Sequence, residues 1–189
     1  MFFRSERLFL RPAWPEDAAA IYAAIADEAI VRNLAHVPWP YTEADARWFA
    51  SQPQDVRLPH CLITRPSASG AEVIGCVGLA QEQGEIALGY WIARKHWGQG
   101  YATEAGRAML TLARGIGHRR IVARHFLDNP ASGRVLRRLG FRPTAERSVA
   151  LSAARGGGAV SVHYDIALEP LFGDCDDTPD GGMPTRRAA

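Results

Sequence analysis

Gly89-Tyr90-Trp91-Ile92-Ala93-Arg94-Lys95-His96-Trp97-Gly98-Gln99-Gly100-Tyr101-Ala102-Thr103-Glu104-Ala105 joins a strand-like run to a Gly-spaced turn and then, at once, to an amphipathic helix. Glycines in such a turn let the backbone approach a ligand closely. The unpaired N–H groups that open the helix face whatever occupies the turn, which makes the junction a site for a phosphate or diphosphate. Spacing alone is weak support. Gly is 18 of 189 residues, so about two Gly-x-Gly triplets are expected by chance. Gly98/Gly100, Gly115/Gly117 and Gly156/Gly158 all fit that pattern. Only the first has a strand before it and an amphipathic helix after it.

The rest of the chain sets bounds on this reading. A length of 189 residues, with 47% hydrophobic and 22% charged residues, is that of an ordinary globular protein. We expect a single domain over residues 1–172 and a disordered polar tail over 173–189, rich in Pro and Gly. A formal net charge of +2 argues against bulk nucleic-acid binding. Lys95 is the only lysine, and it sits beside the Gly-spaced turn, where a phosphate would favour an ammonium; coding bias is the plainer account. Cys61, Cys76 and Cys175 are widely spaced and odd in number, and no metal-ligand spacing is visible, so neither a disulfide framework nor a structural metal is expected. The first residues meet Glu6 and Arg7 too early for a secretion signal, and no apolar run reaches membrane-spanning length. The expected location is the cytoplasm.

Outward from the junction the elements follow in order. Leu8–Arg11 reads as a strand. Pro15 opens a helix with Ala18, Ile21, Tyr22 and Ile25 at helical spacing. A short helical stretch covers residues 29–34, and Thr42 with Asp45 resembles a capping box for the helix that carries Ala46 and Phe49. Strands are expected near 57–65, 73–79 and 85–92, with turns at Pro66–Gly70 and Gln83-Gly84. The helix after Gly100 carries Ala102, Ala105, Met109, Leu112 and Ala113 on one stripe. A strand covers 119–126. Asn129-Pro130 then combines a preferred N-cap with a preferred first helical residue, and Gly140 stops that helix. Strands near 142–151 and 160–168 flank the Arg155–Gly158 turn. The fold class is α/β of the α+β type: a mixed, partly antiparallel sheet of about seven strands flanked by helices. The strands on either side of the Gly100 helix are parallel, because a helical crossover requires it.

Taken together, Trp97-Gly98-Gln99-Gly100-Tyr101-Ala102-Thr103-Glu104-Ala105 and Asn129-Pro130-Ala131-Ser132…Leu139-Gly140-Phe141 resemble the GNAT acyltransferases, most closely their RimJ/RimL branch. The resemblance runs from about Glu6 to Leu168 and includes Val37–Thr42. It implies a splay between the fourth and fifth strands that admits the pantetheine arm of acetyl-CoA. It implies main-chain pairing of that arm by Trp91, Ile92 and Ala93, and a diphosphate held by backbone N–H groups of Lys95, His96, Trp97, Gly98, Gln99, Gly100, Tyr101 and Ala102. Asn129 matches the position that contacts the arm, and it is also a plain N-cap. Many relatives protonate the departing thiolate with a tyrosine seven residues after that Asn; here the position is Leu136. In the RimL-like branch Ser132 is the candidate donor. Its alternative is a first-turn residue that bonds nearby backbone.

The implied chemistry is direct attack of an amine on the thioester, with a backbone N–H near Ile92 for the oxyanion. The strand position that often bears a carboxylate is occupied by Ala87 and Leu88. Glu85, on the same face as Ala87, is the candidate base, against the alternative of a solvent-facing strand end. A second base position falls near Leu151 or Ser152, where there is no carboxylate. The histidines His36, His60, His125 and His163 are scattered along the chain. Trp39 and Tyr41, with Trp48, are expected to wall the acceptor pocket; core packing is the alternative for Trp48.

Lack of a clear base favours the less basic α-amine. Near neutral pH roughly a tenth of α-amines are uncharged, against well under a hundredth of lysines. A protein or peptide N-terminus is therefore the expected acceptor. A small-molecule amine acetyltransferase and a non-catalytic acyl-CoA sensor stay open. Relatives are often homodimers.

Overall fold

The computed structural model describes residues 1–68 and 70–169. Its elements are β1 (Phe3–Arg4), β2 (Phe9–Arg11), α1 (Ala18–Ile25), α2 (Glu28–Val31), α3 (Glu43–Ala50), β3 (His60–Ser67), β4 (Gly70–Glu82), β5 (Glu85–Ile92), α4 (Tyr101–Ile116), β6 (Arg120–Phe126), α5 (Pro130–Arg138), β7 (Arg142–Ser152) and β8 (Gly157–Ala167). The strands form one sheet in the order β1-β2-β3-β4-β5-β6-β8-β7. Every neighbouring pair is antiparallel except β5 and β6, which are parallel and flank the α4 crossover as expected. The sheet has eight strands where the sequence suggested about seven. The addition is β1, which pairs Phe3 with Leu10 and Arg4 with Phe9. Two residues are too few to display a two-residue period. The expected polar tail from residue 173 lies outside the described residues.

Each face of the sheet carries its own core. On one face, Leu8, Leu10, Ile63, Val77, Leu88 and Ile121 meet Ala105 and Met109 of α4 and Leu136 of α5. On the other, Leu62, Val73 and Cys76 meet Ile21, Ile25, Ile30, Val31 and Ala46 of α1–α3. Local chemistry fixes the helix ends. Thr42 and Asp45 form the capping box of α3. Asn129 accepts a hydrogen bond from the Ser132 amide at the start of α5. The α4 stripe packs closely against α5, where a Cβ on Gly106 would lie 2.6 Å from Leu139 Cδ1. Glycine leaves room there for the Leu139 side chain.

One interruption in the sheet positions the site. β4 and β5 pair continuously from Gly75↔Ile92 to Glu82↔Glu85. β5 and β6 register only at Ala87↔Val122. Beyond that pair the two strands diverge, and the Gly89–Ile92 main chain has no registered partner on the β6 side. This is the expected splay between the strand before α4 and the strand after it.

Candidate active site

At the end of β5 the chain makes a 3-10 turn over Arg94–His96 and passes through Gly98 and Gly100, with φ of 75° and 82°. Both angles lie in the left-handed region that glycine adopts at least cost. α4 then starts at Tyr101 with no side-chain cap. Its first-turn amides point out of the helix, at the positive end of the dipole. Thr103 Oγ1, in the same turn, is buried and has no hydrogen-bond partner among the described residues. An uncapped helix start beside an orphaned buried hydroxyl fits a ligand rich in acceptor oxygens, which a diphosphate is.

Two ion clusters hold the junction rigid. On one side Glu104 accepts from the Arg7 amide and from Ser5 Oγ, each at 2.7 Å, and from Arg7 Nε at 2.8 Å. Burial pushes the Glu104 carboxyl up, but these bonds outweigh it and leave the group below its ordinary value. Arg7 also donates to the Gln99 carbonyl and lies over the Tyr101 ring. On the other side Glu72 receives Lys95 Nζ at 2.6 Å, Arg65 at 2.9 Å and His96 Nε2 at 3.2 Å. The Lys95 ammonium foremost, with His96 and Arg65, holds the Glu72 carboxyl down at about 2.

Above the junction, the gap between β5 and β6 opens into a cavity of about 430 Å³ lined from both faces of the sheet. On the α5 face, Tyr90 Oη and Ser132 Oγ stand 2.8 Å apart across the cavity wall. Burial pushes the Tyr90 phenol up to about 12, against the lowering effect of its bond to Ser132. The phenol therefore keeps its proton at neutral pH. On the opposite face the cavity is bounded by Ala87, Gly89, Arg124, Ser161 and His163, with Asn33–Ala35 above them. A Cβ on Gly89 would meet nothing within 4 Å. Arg124 is paired with Glu82 at 2.6 Å. His163 Nε2 lies 2.7 Å from Ser148 Oγ and 3.4 Å from Ser161 Oγ, and its Nδ1 lies 3.9 Å from Glu146.

Many of the residues singled out in the sequence meet here. Trp91, Ile92, His96, Trp97, Gly98, Gly100, Tyr101, Ala102, Asn129, Ser132 and Glu85 all line the cavity. Ala93, Lys95 and Gln99 do not. The Ala93 amide donates to the Ile74 carbonyl at 2.8 Å, Lys95 is turned to Glu72, and Gln99 Nε2 donates to the Lys95 carbonyl. The Ile92 carbonyl is likewise committed, to Trp97 Nε1 at 2.7 Å. Glu85 sits at the outer end of β5, its side chain 47% exposed and ion-paired with Arg120. The structure does not bring Trp39 and Tyr41 to the cavity. Tyr41 is a core residue of the α1–α3 face, packed with Ile21 and Ala46, and Trp39 is partly exposed. The apolar bulk of Tyr41 is satisfied by packing, whereas Trp39 and Trp48 are exposed, Trp48 at 65%. Leu151 is exposed, and Ser152 is buried with its hydroxyl on the Leu34 carbonyl.

Three residues of the site were missed in the sequence. Tyr90 reads there as an ordinary strand aromatic. Thr103 reads as a helix residue, although its place in the first turn of an uncapped helix is a usable signal. His163 acquires its neighbours only through the register of β6, β7 and β8, with Arg124↔His163 and Ser148↔Ser161 directly opposed.

Residues 7–142 match the family model described as the acetyltransferase (GNAT) domain. The uncharacterized N-acetyltransferase YoaA of Bacillus subtilis (strain 168) is 31% identical over 147 residues, 73% of this chain and 81% of that protein. Among solved structures, RimL, described as a ribosomal L7/L12 alpha-N-protein acetyltransferase in complex with coenzyme A, superposes with a TM-score of 0.73 at 20% identity, covering 89% of this chain and 98% of that one. The microcin C7 self immunity acetyltransferase MccE, in complex with acetyl-CoA and AMP, gives a TM-score of 0.70 at 18% identity, covering 86% and 93%. These two structural likenesses concern the fold.

Proposed function

The chain belongs to the GNAT acetyltransferase family, and we propose that, as a RimJ/RimL-like member, it moves the acetyl group of acetyl-CoA onto the α-amine of a protein or peptide N-terminus. The observation that carries this reading is the single cavity that passes through the sheet where β5 and β6 part. A donor and an acceptor can enter such a cavity from opposite faces and meet in the gap.

Acetyl-CoA supplies the activated acyl group as a thioester. The chain supplies the rest. The amides of Gly98, Gly100, Tyr101 and Ala102, together with Thr103 Oγ1, receive the diphosphate. Along β5 main-chain groups alternate between neighbours. The Ala93 amide is spent toward β4, so the groups of Tyr90 and Ile92 are the ones that face the gap. The Ile92 amide is the donor placed for the carbonyl oxygen as charge develops there. Ser132, next to Asn129, gives a proton to the departing sulfur. Tyr90 stands behind it as a neutral donor that restores that proton. Glu85 is ion-paired with Arg120 at the mouth of the acceptor side.

The α-amine preference follows from proton supply. The Glu85 carboxylate is occupied by the Arg120 guanidinium at the outer end of β5. The site therefore suits an amine with a substantial uncharged fraction near neutral pH, and an α-amine has one of roughly a tenth. The test is thiol release from acetyl-CoA with tetrapeptides that have a free N-terminus, against matched peptides whose only amine is an internal lysine. The expected result is at least a roughly tenfold higher kcat/KM for the α-amine, in line with the difference in uncharged fraction. Faster acetylation of the lysine peptides refutes the assignment. Binding of acetyl-CoA with no turnover of any amine makes the protein a sensor instead.

A further inference from the structure

We infer that His163, reached through the Ser161 and Ser148 hydroxyls, is the destination of the proton that leaves the substrate amine, and that Glu146 orients its ring. The inference rests on the acetyl-transfer reading above and names the proton acceptor that reading lacks.

The placement comes from strand register. Val122 is level with Ala87, so Arg124, two residues on, shares the face of Ala87 and Gly89, and His163 lies directly opposite Arg124 on the next strand. Paired residues project to one face of a sheet. His163 and Arg124 therefore stand on the face of Ala87 and Gly89, opposite the Tyr90–Ser132 pair. Two residues along β8, Ser161 is level with Phe126, further along β6 from the Ala87↔Val122 pair. Both Ser161 and His163 line the cavity. The space over Gly89 is open, because no side chain fills it.

The hydrogen-bond pattern gives the ring a direction. Nδ1 faces the Glu146 carboxylate at 3.9 Å, so the favoured tautomer carries its proton there. Nε2 is then the lone-pair nitrogen, and it faces two hydroxyls, Ser148 at 2.7 Å and Ser161 at 3.4 Å. A hydroxyl can accept a proton from one side and pass one on at the other. The charged groups around the ring are few. Glu146 comes from β7, and Arg124 from β6 is offset by Glu82 of β4. Asp165, further along β8, is engaged by Arg120. No unpaired cation among these opposes the formation of an imidazolium.

The step balances. The amine nitrogen forms a bond to the acetyl carbon, and the carbon–sulfur bond breaks. The proton lost by nitrogen passes to Ser161 Oγ, whose own proton moves to Ser148 Oγ 3.1 Å away, and the Ser148 proton moves to His163 Nε2 at 2.7 Å. The sulfur takes a proton from Ser132, restored from Tyr90. Solvent removes the proton from His163 and returns one to Tyr90.

The test compares wild-type protein with His163→Gln, using acetyl-CoA and serine- or methionine-starting tetrapeptides across pH 6 to 9. We expect kcat/KM to fall about 100-fold at pH 7, with the deficit narrowing toward pH 9 as the free amine fraction rises. Acetyl-CoA affinity by calorimetry stays unchanged. A merely structural role would give a loss independent of pH. His163→Gln matching the wild type in rate and pH profile overturns the inference while leaving acetyl transfer intact, as does loss of the same limb in Glu85→Gln instead. A wild-type protein that binds acetyl-CoA yet turns over no peptide overturns both readings. A readout independent of turnover is the ring-carbon NMR signal of His163 in wild-type protein labelled at histidine. It should titrate, and it should shift when peptide is added with a non-reactive CoA analogue; a signal silent to both pH and peptide also overturns the inference.

Discussion

Replacing Glu72 with Gln should loosen the junction between β5 and α4 without touching the cavity. Glu72 holds Lys95, Arg65 and His96 from β4, and two of those three lie in the turn that leads to Gly98. Its carboxyl is lowered from 4.5 to about 2, chiefly by Lys95. At 1.36 kcal/mol per unit, that shift sets a ceiling of about 3 kcal/mol on what the charge contributes to folding. Lys95 is 69% exposed, and solvent screening there brings the expected loss to about 1–2 kcal/mol. For a chain of this length the melting temperature should drop by about 3–6 °C at pH 7. The sign of the pH dependence is fixed by the direction of the shift. The contribution of a depressed carboxylate is complete above 4.5 and is lost as pH falls toward about 2. The deficit of Glu72→Gln relative to the parent should therefore shrink over that interval, because the protonated acid resembles the amide. Calorimetric melting at pH 7, 4.5 and 3 measures it. A variant melting within about 1 °C of the parent at pH 7, or a deficit unchanged at pH 3, would refute the view that this charge cluster braces the junction.

Two further substitutions probe the cavity wall. Tyr90→Phe removes the hydroxyl that stands 2.8 Å from Ser132. It should cost about 1 kcal/mol of stability and lower kcat at least tenfold, with acetyl-CoA affinity retained. The Tyr90→Phe/Ser132→Ala double variant should be little slower than Ser132→Ala alone, because the two groups serve one proton path; fully additive losses would separate them. Thr103→Val replaces an orphaned buried hydroxyl with a methyl of similar shape. Stability should hold or rise by up to about 1 kcal/mol while acetyl-CoA binding weakens several-fold, and unchanged binding by calorimetry would remove Thr103 from the diphosphate site.

The sequence revealed the half of the site that depends on local backbone chemistry. A strand, two glycines two positions apart in the turn and an amphipathic helix are contiguous, so their juncture follows from short-range rules. The same holds for Asn129-Pro130, whose cap the structure reproduces. The acceptor half was hidden because its groups converge through pairing between distant strands. His163 and Ser148 meet across β7 and β8 from 15 positions apart. No periodicity in one segment announces such a meeting. Trp39 and Tyr41 misled for a different reason: an aromatic in a loop near a pocket and an aromatic plugging a core carry the same pattern. Lys95 illustrates charge read without its partner, since Glu72 is 23 residues away and only the antiparallel course of β4 and β5 brings it close.

The lone register pair between β5 and β6 has a mechanical consequence. The strands up to β5 and those from β6 onward are two panels joined by one rung, with α4 and α5 strapped across one side. A molecule lodged between the panels would substitute for the absent rungs, so occupancy should harden the whole fold. At a hundred times its dissociation constant a ligand adds about 2.7 kcal/mol to resistance against unfolding. Starvation of the acyl donor would then not merely idle this protein; it would unlatch the seam between its panels and leave it the more open to proteolysis.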